Sequence, residues 1–142
     1  MTALIIFAKA PTPGRCKTRL SPALGEHGAA DLAARMLATT LEFAQEAGFA
    51  EIILCSDPAP DDAAWQAQNL PENITCVAQG DGDLGARMQR AAEAALADHQ
   101  AVILVGTDCV ELSSDWLREA SAALAEHEAV IHPSEDGGYT LL

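Results

Sequence analysis

The chain has 142 residues, 49% of them apolar, and a formal net charge of −13 at neutral pH. This size and composition predict one folded domain with its own core, and they exclude a disordered acidic tail. The negative charge argues against nucleic acid and anionic membranes as partners. No charged segment precedes a long apolar stretch, so we expect neither a signal peptide nor a membrane span, and we expect a cytoplasmic protein whose four cysteines are reduced.

Strand and helix patterns alternate along the chain. The apolar run Ala3–Ala8 predicts a buried strand. Apolar residues then recur at helical spacing from Ala29 to Ala44, and Gly48 is a natural stop. The later predicted elements are a strand at 51–55, a helix at 61–69, a strand at 74–77, a helix at 86–98, a strand at 101–106, a helix at 113–126, and strands at 129–131 and 139–142. The alternation predicts an α/β fold with a mostly parallel sheet and helices on both faces.

The predicted last strand ends at Leu142, where the sequence stops. A final apolar strand with nothing after it leaves an edge or an unfinished layer. We therefore expect residues 1–142 to form a single domain that lacks its C-terminal part.

Half of the positive charge lies in one short segment directly after the first predicted strand. Four of the eight basic residues fall here: Lys9, Arg15, Lys17 and Arg19. Crowded cations repel one another unless an anion joins them, and open α/β sheets bind ligands beyond the carboxyl ends of their strands. The segment therefore predicts a phosphate pocket, although a solvated loop paired with nearby carboxylates is the alternative. A nucleotide-triphosphatase P-loop is disfavoured because Gly14 stands only three residues before Lys17.

Two aspartates follow or precede predicted strands. Asp108 comes after the strand at 101–106, where a carboxylate suits Mg²⁺ or Mn²⁺ against a ligand's phosphates; a turn aspartate is the alternative. Asp136 is a candidate second metal ligand or a contact for a substrate hydroxyl, and an ordinary Asp-Gly turn explains it nearly as well. The glycine-rich turn Gln79–Gly85 either faces a nucleobase or simply opens the next helix. No residue stands out as a catalytic base.

Four segments together resemble a known bacterial family. They are Phe7–Leu20, Asp83–Met88, Gly106–Cys109 and Asp136–Tyr139. In this order they are similar to the landmarks of the glycosyltransferase-A-like family of the nucleotide-diphospho-sugar transferase superfamily, some members of which are associated with arsenosugar biosynthesis. The chain departs from that family at Val110, where a proline is usual.

The resemblance implies a Rossmann-like sheet of the glycosyltransferase-A type that binds a nucleotide-diphospho-sugar with Mg²⁺ or Mn²⁺ and transfers the sugar to an unidentified acceptor. It implies that Asp108 is a metal ligand and that Lys17 and Arg15 are cations beside the diphosphate, and Asp136 remains the candidate second metal ligand. The residues expected to contact the nucleotide diphosphate are Lys9, Gly14, Arg15, Lys17, Arg19, Gln79 and Gly80.

Two other functions stay open. Lys9 and the run Lys17–Ser21 also resemble 2-phospholactate guanylyltransferase, a nucleotidyltransferase of the same superfamily. Such an enzyme attacks the α-phosphorus of a nucleoside triphosphate and expels pyrophosphate, whereas a glycosyltransferase expels a nucleoside diphosphate. The third possibility is a catalytically silent module that binds nucleotide without turnover.

Overall fold

The computed structural model of the protein describes residues 2–13, 21–68, 70–107, 113–133 and 139–142. The described residues form six strands and four helices. In chain order these are β1 (Thr2–Lys9), α1 (Ser21–Ala47), β2 (Glu51–Asp57), α2 (Ala63–Gln66), β3 (Thr75–Ala78), α3 (Leu84–Leu96), β4 (Ala101–Val105), α4 (Ser114–Ala123), β5 (His132–Pro133) and β6 (Tyr139–Leu141).

The strands form one sheet in the order β3-β2-β1-β4-β6-β5. β1, β2, β3 and β4 run parallel, β6 is antiparallel to β4, and β5 is antiparallel to β6. In the central register Leu4 lies opposite Ile52 on one side and Ile103 on the other. The predicted α/β fold with a mostly parallel sheet is therefore confirmed.

Alternate residues of β1 point to opposite faces of the sheet, as the pleat of a strand requires. Leu4 and Ile6 are fully buried in the larger core cluster, which contains residues of α1, α2 and α4. Ala3 and Ile5 are equally buried in a smaller cluster that contains Ala95 of α3. Helices thus cover both faces, and each fully buried aliphatic side chain contributes about 1.5–3 kcal/mol of transfer free energy.

The ends of the first two helices differ in part from the predictions. α1 begins at Ser21, eight residues before the predicted periodicity starts, and contains a kink at Gly25, whose φ is 75°. Gly48 follows it with a φ of 77°, which confirms the predicted stop. The predicted helix at 61–69 is shorter, Ala63–Gln66. Its start is fixed at Ala63 because the Asp62 carboxylate accepts a hydrogen bond from the Ala64 N–H at 2.9 Å.

The fifth strand was predicted at 129–131 and is instead His132–Pro133. Its partner β6 determines this position, because His132 pairs with Leu141 and Pro133 with Tyr139. A strand that contains proline suits the edge of a sheet, where no second neighbour needs the missing N–H. Ile131, predicted to end the strand, is 54% exposed.

Among the described helices, none is both long and apolar enough to cross a membrane.

Candidate functional site

The last residues of the four parallel strands form one edge of the sheet, which we call the carboxyl edge: Lys9, Asp57, Ala78 and Val105. The chain leaves β1 towards β2 and β3 on one side, while β4 lies on the other side of β1. Open α/β sheets bind ligands at such a reversal of strand order, outside the carboxyl ends. Lys9 is exposed here at the end of β1. A Cβ atom placed on Gly106, just after β4, would meet none of the described residues within 4 Å.

Gln79 joins three strands at the carboxyl edge. Its backbone N–H donates to the Ser56 carbonyl at 3.0 Å. Its side-chain Nε2 donates to the carbonyl oxygens of Cys55 at 3.1 Å and Ala8 at 3.4 Å. Because Gln79 follows β3 directly, one residue ties the ends of β1, β2 and β3 together. The residue is 7% exposed, so its side chain lies in the protein's interior.

Two arginines of α3 hold the other side of Gln79. Arg87 Nη1 donates to Gln79 Oε1 at 3.0 Å, and its Nε donates to the Gly82 carbonyl at 3.0 Å. Arg90 donates to the carbonyls of Gln79 at 2.7 Å and Asp81 at 2.9 Å. A charged donor strengthens each of these bonds. The loop between β3 and α3 is therefore fixed by guanidinium groups beneath it.

Gly80 in this loop has a φ of 79°, a conformation that other residues rarely adopt. A Cβ atom at this position would lie 2.5 Å from Arg90 Nη1. Glycine is needed both for the backbone conformation and because the Arg90 guanidinium occupies the adjoining space.

The chain leaving β1 is held on both sides of Lys9. The Ala8 carbonyl accepts from Gln79, and the Ala10 N–H donates to the Asp57 carbonyl at 3.0 Å. The Asp57 carboxylate in turn lies 3.4 Å from Arg87 Nη1. Lys9 itself has no carboxylate partner within the part of the chain that the structure describes. Its ammonium group is therefore available to an anionic ligand on a fixed backbone.

Cys55 lies under this network and is almost completely buried. Burial raises the pKa of its thiol, while the guanidinium charges of Arg90 and Arg87 oppose that effect. The Arg87 guanidinium reaches the end of β2, where it lies 3.4 Å from the Asp57 carboxylate. The neutral thiol packs there as a small apolar group.

Three of the predicted ligand contacts lie together at the carboxyl edge: Lys9, Gln79 and Gly80. The other predicted contacts, Gly14, Arg15, Lys17 and Arg19, lie outside the described residues, as do both predicted metal ligands, Asp108 and Asp136. Their described neighbours in sequence are informative. Thr107 follows β4, and Tyr139 begins β6, whose Leu141 lies opposite the last residue of β4. Both neighbours therefore lie at or near the carboxyl edge.

The described side chains do not test the prediction of a metal site, because both predicted metal ligands lie outside the described residues. Within the ranges that the structure describes, no group of three or more histidine, cysteine, aspartate or glutamate residues could hold a metal ion. Asp108 and Asp136 lie outside these ranges, so their role as metal ligands stays a prediction.

Sequence analysis missed Asp57, Arg87 and Arg90. The two arginines looked like isolated charges, yet they follow the glycine-rich turn at positions three apart on α3. Residues three apart share one helix face, and near the start of a helix that face can reach the preceding loop. That spacing could have predicted that Arg87 and Arg90 contact the loop between β3 and α3.

A cleft of about 530 Å³ lies at the opposite edge of the sheet, formed by the first residues of the parallel strands, which we call the amino edge. Its lining includes Phe49, Thr2 and Arg118. Arg118 donates to the Glu46 carbonyl at 2.6 Å and pairs with Asp115 at 2.9 Å. This arginine is thus neutralised locally and ties α4 to the end of α1.

Comparisons with known proteins agree with this architecture. Residues 40–142 match the family model DUF2064, described as an uncharacterized protein conserved in bacteria. No curated protein matches the sequence. A candidate nucleotide-diphospho-sugar transferase of known structure from Desulfovibrio desulfuricans G20 is 30% identical, with a TM-score of 0.88. The match covers 99% of this chain and 61% of that one, so this chain spans about three fifths of that protein's length.

Two further structures share the fold at lower identity. Rv0371c from Mycobacterium tuberculosis H37Rv is 20% identical with a TM-score of 0.61, and the match covers 99% of this chain and 69% of that one. The structure of its complex with manganese is 21% identical to this chain with a TM-score of 0.59, and the match covers 99% of this chain and 68% of that one. The comparisons confirm the nucleotide-diphospho-sugar transferase fold.

Proposed function

Because the chain belongs to the DUF2064 family of bacterial proteins and has the nucleotide-diphospho-sugar transferase fold, we propose that it binds a nucleoside-diphosphate sugar at the carboxyl edge and transfers the sugar to an acceptor. Within the superfamily we place it in the glycosyltransferase-A-like branch, with Mg²⁺ or Mn²⁺ as cofactor. The observation that carries the proposal is Lys9, which is exposed, has no carboxylate partner among the described residues, and lies on a fixed backbone at the reversal of strand order.

The charge balance supports a diphosphate ligand. The protein has a net charge of −13, yet Lys9 and Arg90 lie at the same edge without a carboxylate partner among the described residues, and the sequence after β1 contains the basic segment 15–19. An anionic protein gains little from crowding cations unless a small anion binds among them. A local cationic pocket of this kind suits a phosphorylated small molecule.

Transfer of a sugar breaks the bond between the anomeric carbon and the β-phosphate oxygen, and negative charge develops on the leaving diphosphate. Lys9, with Arg15, Lys17 and Arg19, would stabilise that charge. The manganese complex of Rv0371c supports a divalent ion in this fold, and Asp108 and Asp136 are the carboxylates that would hold it here. Such an ion neutralises diphosphate charge as a Lewis acid.

Binding is tested first by a thermal-shift screen of nucleoside diphosphates, their sugar esters and nucleoside triphosphates, each with and without Mn²⁺. Diphosphates and their sugar esters are expected to raise the melting temperature of the wild-type protein, and more so with the metal. No shift with any of them would contradict the proposal.

The reaction type is tested by its products. With a donor that binds and a suitable acceptor, the enzyme should release nucleoside diphosphate and no pyrophosphate. Pyrophosphate release from a nucleoside triphosphate, lost in Asp108→Asn, would make the protein a nucleotidyltransferase. Binding without turnover of either donor class would make it a nucleotide-binding module.

A further inference from the structure

We infer that Gln79 is a positioning residue of the nucleotide site, one that sets where Lys9 and the β3–α3 loop stand without touching the ligand itself. This inference rests on the proposed function and adds to it the residue on which the geometry of the site depends. It also changes the role expected for Gln79 from its sequence position, which was direct contact with the nucleotide.

The first step is that the hydrogen-bonding groups of Gln79 are all directed at the protein. Its backbone N–H donates to Ser56, and its backbone carbonyl accepts from Arg90. Its side-chain Nε2 donates to Ala8 and Cys55, and its Oε1 accepts from Arg87. The residue is 7% exposed. A ligand beyond the carboxyl edge would find no free polar atom on this side chain.

The second step is that these bonds end on the backbone that carries the proposed contacts. The Ala8 carbonyl, bound by Gln79, immediately precedes Lys9 in the chain. On the other side of Lys9, the Ala10 N–H is bound by the Asp57 carbonyl. Moving the side chain at position 79 therefore removes one of the bonds that hold this backbone, in addition to the pairing of Lys9 with Asp57 between β1 and β2.

The third step concerns the loop. Arg90 binds the carbonyls of Gln79 and Asp81 and fills the space beside Gly80, while Arg87 binds both the Gln79 side chain and the Gly82 carbonyl. Gln79 is the residue that both arginines share. If Gln79 Oε1 is removed, the Arg87 guanidinium loses a buried acceptor. We expect the guanidinium to move until its donor bonds to another acceptor. The loop would then shift together with the start of α3.

Two variants separate the contributions. Gln79→Met keeps the length of the side chain and removes its donor and acceptor. Gln79→Glu keeps the shape; its ionised form has no donor for the Ala8 and Cys55 carbonyls, and its protonated form regains one. The charged groups facing this position are Arg87 and Arg90 from α3 and Asp57 from β2, with the Cys55 thiol beneath. Gln89→Glu, on the exposed surface of α3, makes the same charge change away from the network and is the matched control.

The experiment measures two quantities on folded protein. The first is the affinity for each of UDP, GDP, ADP and CDP with Mn²⁺, by calorimetry at about pH 8 and about pH 5, always as a ratio to wild type at the same pH. We expect Gln79→Met to bind at least about tenfold more weakly at both values. Gln79→Glu should be similarly weak at the higher pH and recover towards wild type at the lower one, and Gln89→Glu should match wild type throughout.

The second quantity is amide hydrogen exchange in the ligand-free protein, which does not depend on the proposed function. In Gln79→Met, exchange at Ala10 and in the loop from Gly80 to Gly82 should accelerate more than exchange in β4. Faster exchange spread evenly over the molecule would show a role in overall stability only.

The outcomes are distinguishable. If wild type binds none of the four diphosphates, the proposed function fails, and the exchange data alone decide whether Gln79 holds this edge. If wild type binds and both variants bind equally well, the inference about Gln79 is wrong while the proposed function stands.

Discussion

The two edges of the sheet use arginine in the same way and differ in what surrounds it. At the amino edge Arg118 donates to a backbone carbonyl and also pairs with Asp115, and nearby His99 lies 3.0 Å from a carboxylate oxygen of Glu51. At the carboxyl edge Arg90 donates only to backbone carbonyls, and no carboxylate pairs with it or with Lys9 in the part of the chain that is described. Arg87 is paired with Asp57 at the carboxyl edge, so the cations there that have no carboxylate partner among the described residues are Lys9 and Arg90.

The difference shows which edge is built for an anion. A guanidinium paired with a carboxylate has little attraction left for a third charge, whereas cations held only by carbonyl oxygens keep their full charge. The amino edge has a cleft, yet its polar lining is satisfied internally. The presence of this cleft therefore does not favour the amino edge for a phosphorylated ligand.

The largest effect is expected from the metal ligand. Asp108→Asn keeps the shape and removes the charge, so the metal-dependent part of nucleotide stabilisation should disappear. At ligand concentrations about a hundredfold above Kd, that part amounts to as much as about 2.7 kcal/mol. The measurement is the melting shift with Mn²⁺ and nucleotide, and Asp115→Asn at the amino edge is the control. A shift equal to that of wild type would reduce Asp108 to a turn residue.

The next effect concerns the basic segment. Lys17→Ala should weaken nucleotide binding by about 1.5–3 kcal/mol, roughly 10- to 150-fold, because a charged hydrogen bond to phosphate is lost. Arg118→Ala changes the net charge equally at the other edge and should leave the affinity unchanged. Calorimetry on both variants compares the edges directly. Equal losses in the two would mean that the overall charge, and not the carboxyl edge, governs binding.

A pair of glycines compares the packing of the two edges. Gly48 and Gly80 have φ values of 77° and 79°, but a Cβ atom at Gly48 meets nothing within 4 Å, whereas at Gly80 it meets Arg90. Alanine should cost about 1–2 kcal/mol at Gly48 from the strain of a left-handed backbone alone. At Gly80 it should cost about 1–2 kcal/mol more, since Arg90 must give up its carbonyl partners.

Urea denaturation measures both free energies of unfolding, and repeating Gly80→Ala in an Arg90→Ala background should remove the excess. If the two glycine variants lose the same stability, Arg90 moves aside freely and does not fix the loop.

The smallest effect is expected at the amino edge. Arg118→Ala removes the bond to the Glu46 carbonyl and the pair with Asp115, both at the protein surface, so the free energy of unfolding should fall by no more than about 1 kcal/mol. A larger fall would show that the amino edge depends on its arginine as strongly as the carboxyl edge does.

Much of the fold followed from local patterns. The apolar run of β1 and the periodicity of α1 identify a strand and a helix by themselves, since burial of those residues determines the element. β5 was misplaced because a two-residue edge strand is defined by its partner β6, which lies beyond any local window. The first turns of α1 lie before a kink at Gly25, and the start of α2 is fixed by the cap at Asp62. Each of these features depends on a single residue, which a periodic pattern does not reveal.

The site was predictable to the extent that it lies next to strand ends. Lys9 and Gly80 could be assigned to one edge because parallel strands bring their carboxyl ends together. The bonds of Gln79 to Ala8 and of Arg87 to Gln79 join residues 71 and 8 positions apart, and neither pairing has a sequence signature. Residues that contact a ligand can be proposed from their chemistry, whereas residues that hold those contacts in place emerge only from the packed structure.

The most direct test of the central claim uses the wild-type protein and the paramagnetism of Mn²⁺. Thr2 and Lys9 stand at opposite ends of β1, about 23 Å apart at roughly 3.3 Å per residue. With Mn²⁺ and a bound nucleoside diphosphate, amide signals of Lys9, Ala10 and residues 79–82 should broaden strongly, while those of Gly48, Phe49 and Ser121 stay sharp. Strong broadening around the amino-edge cleft with an unaffected carboxyl edge would contradict the account.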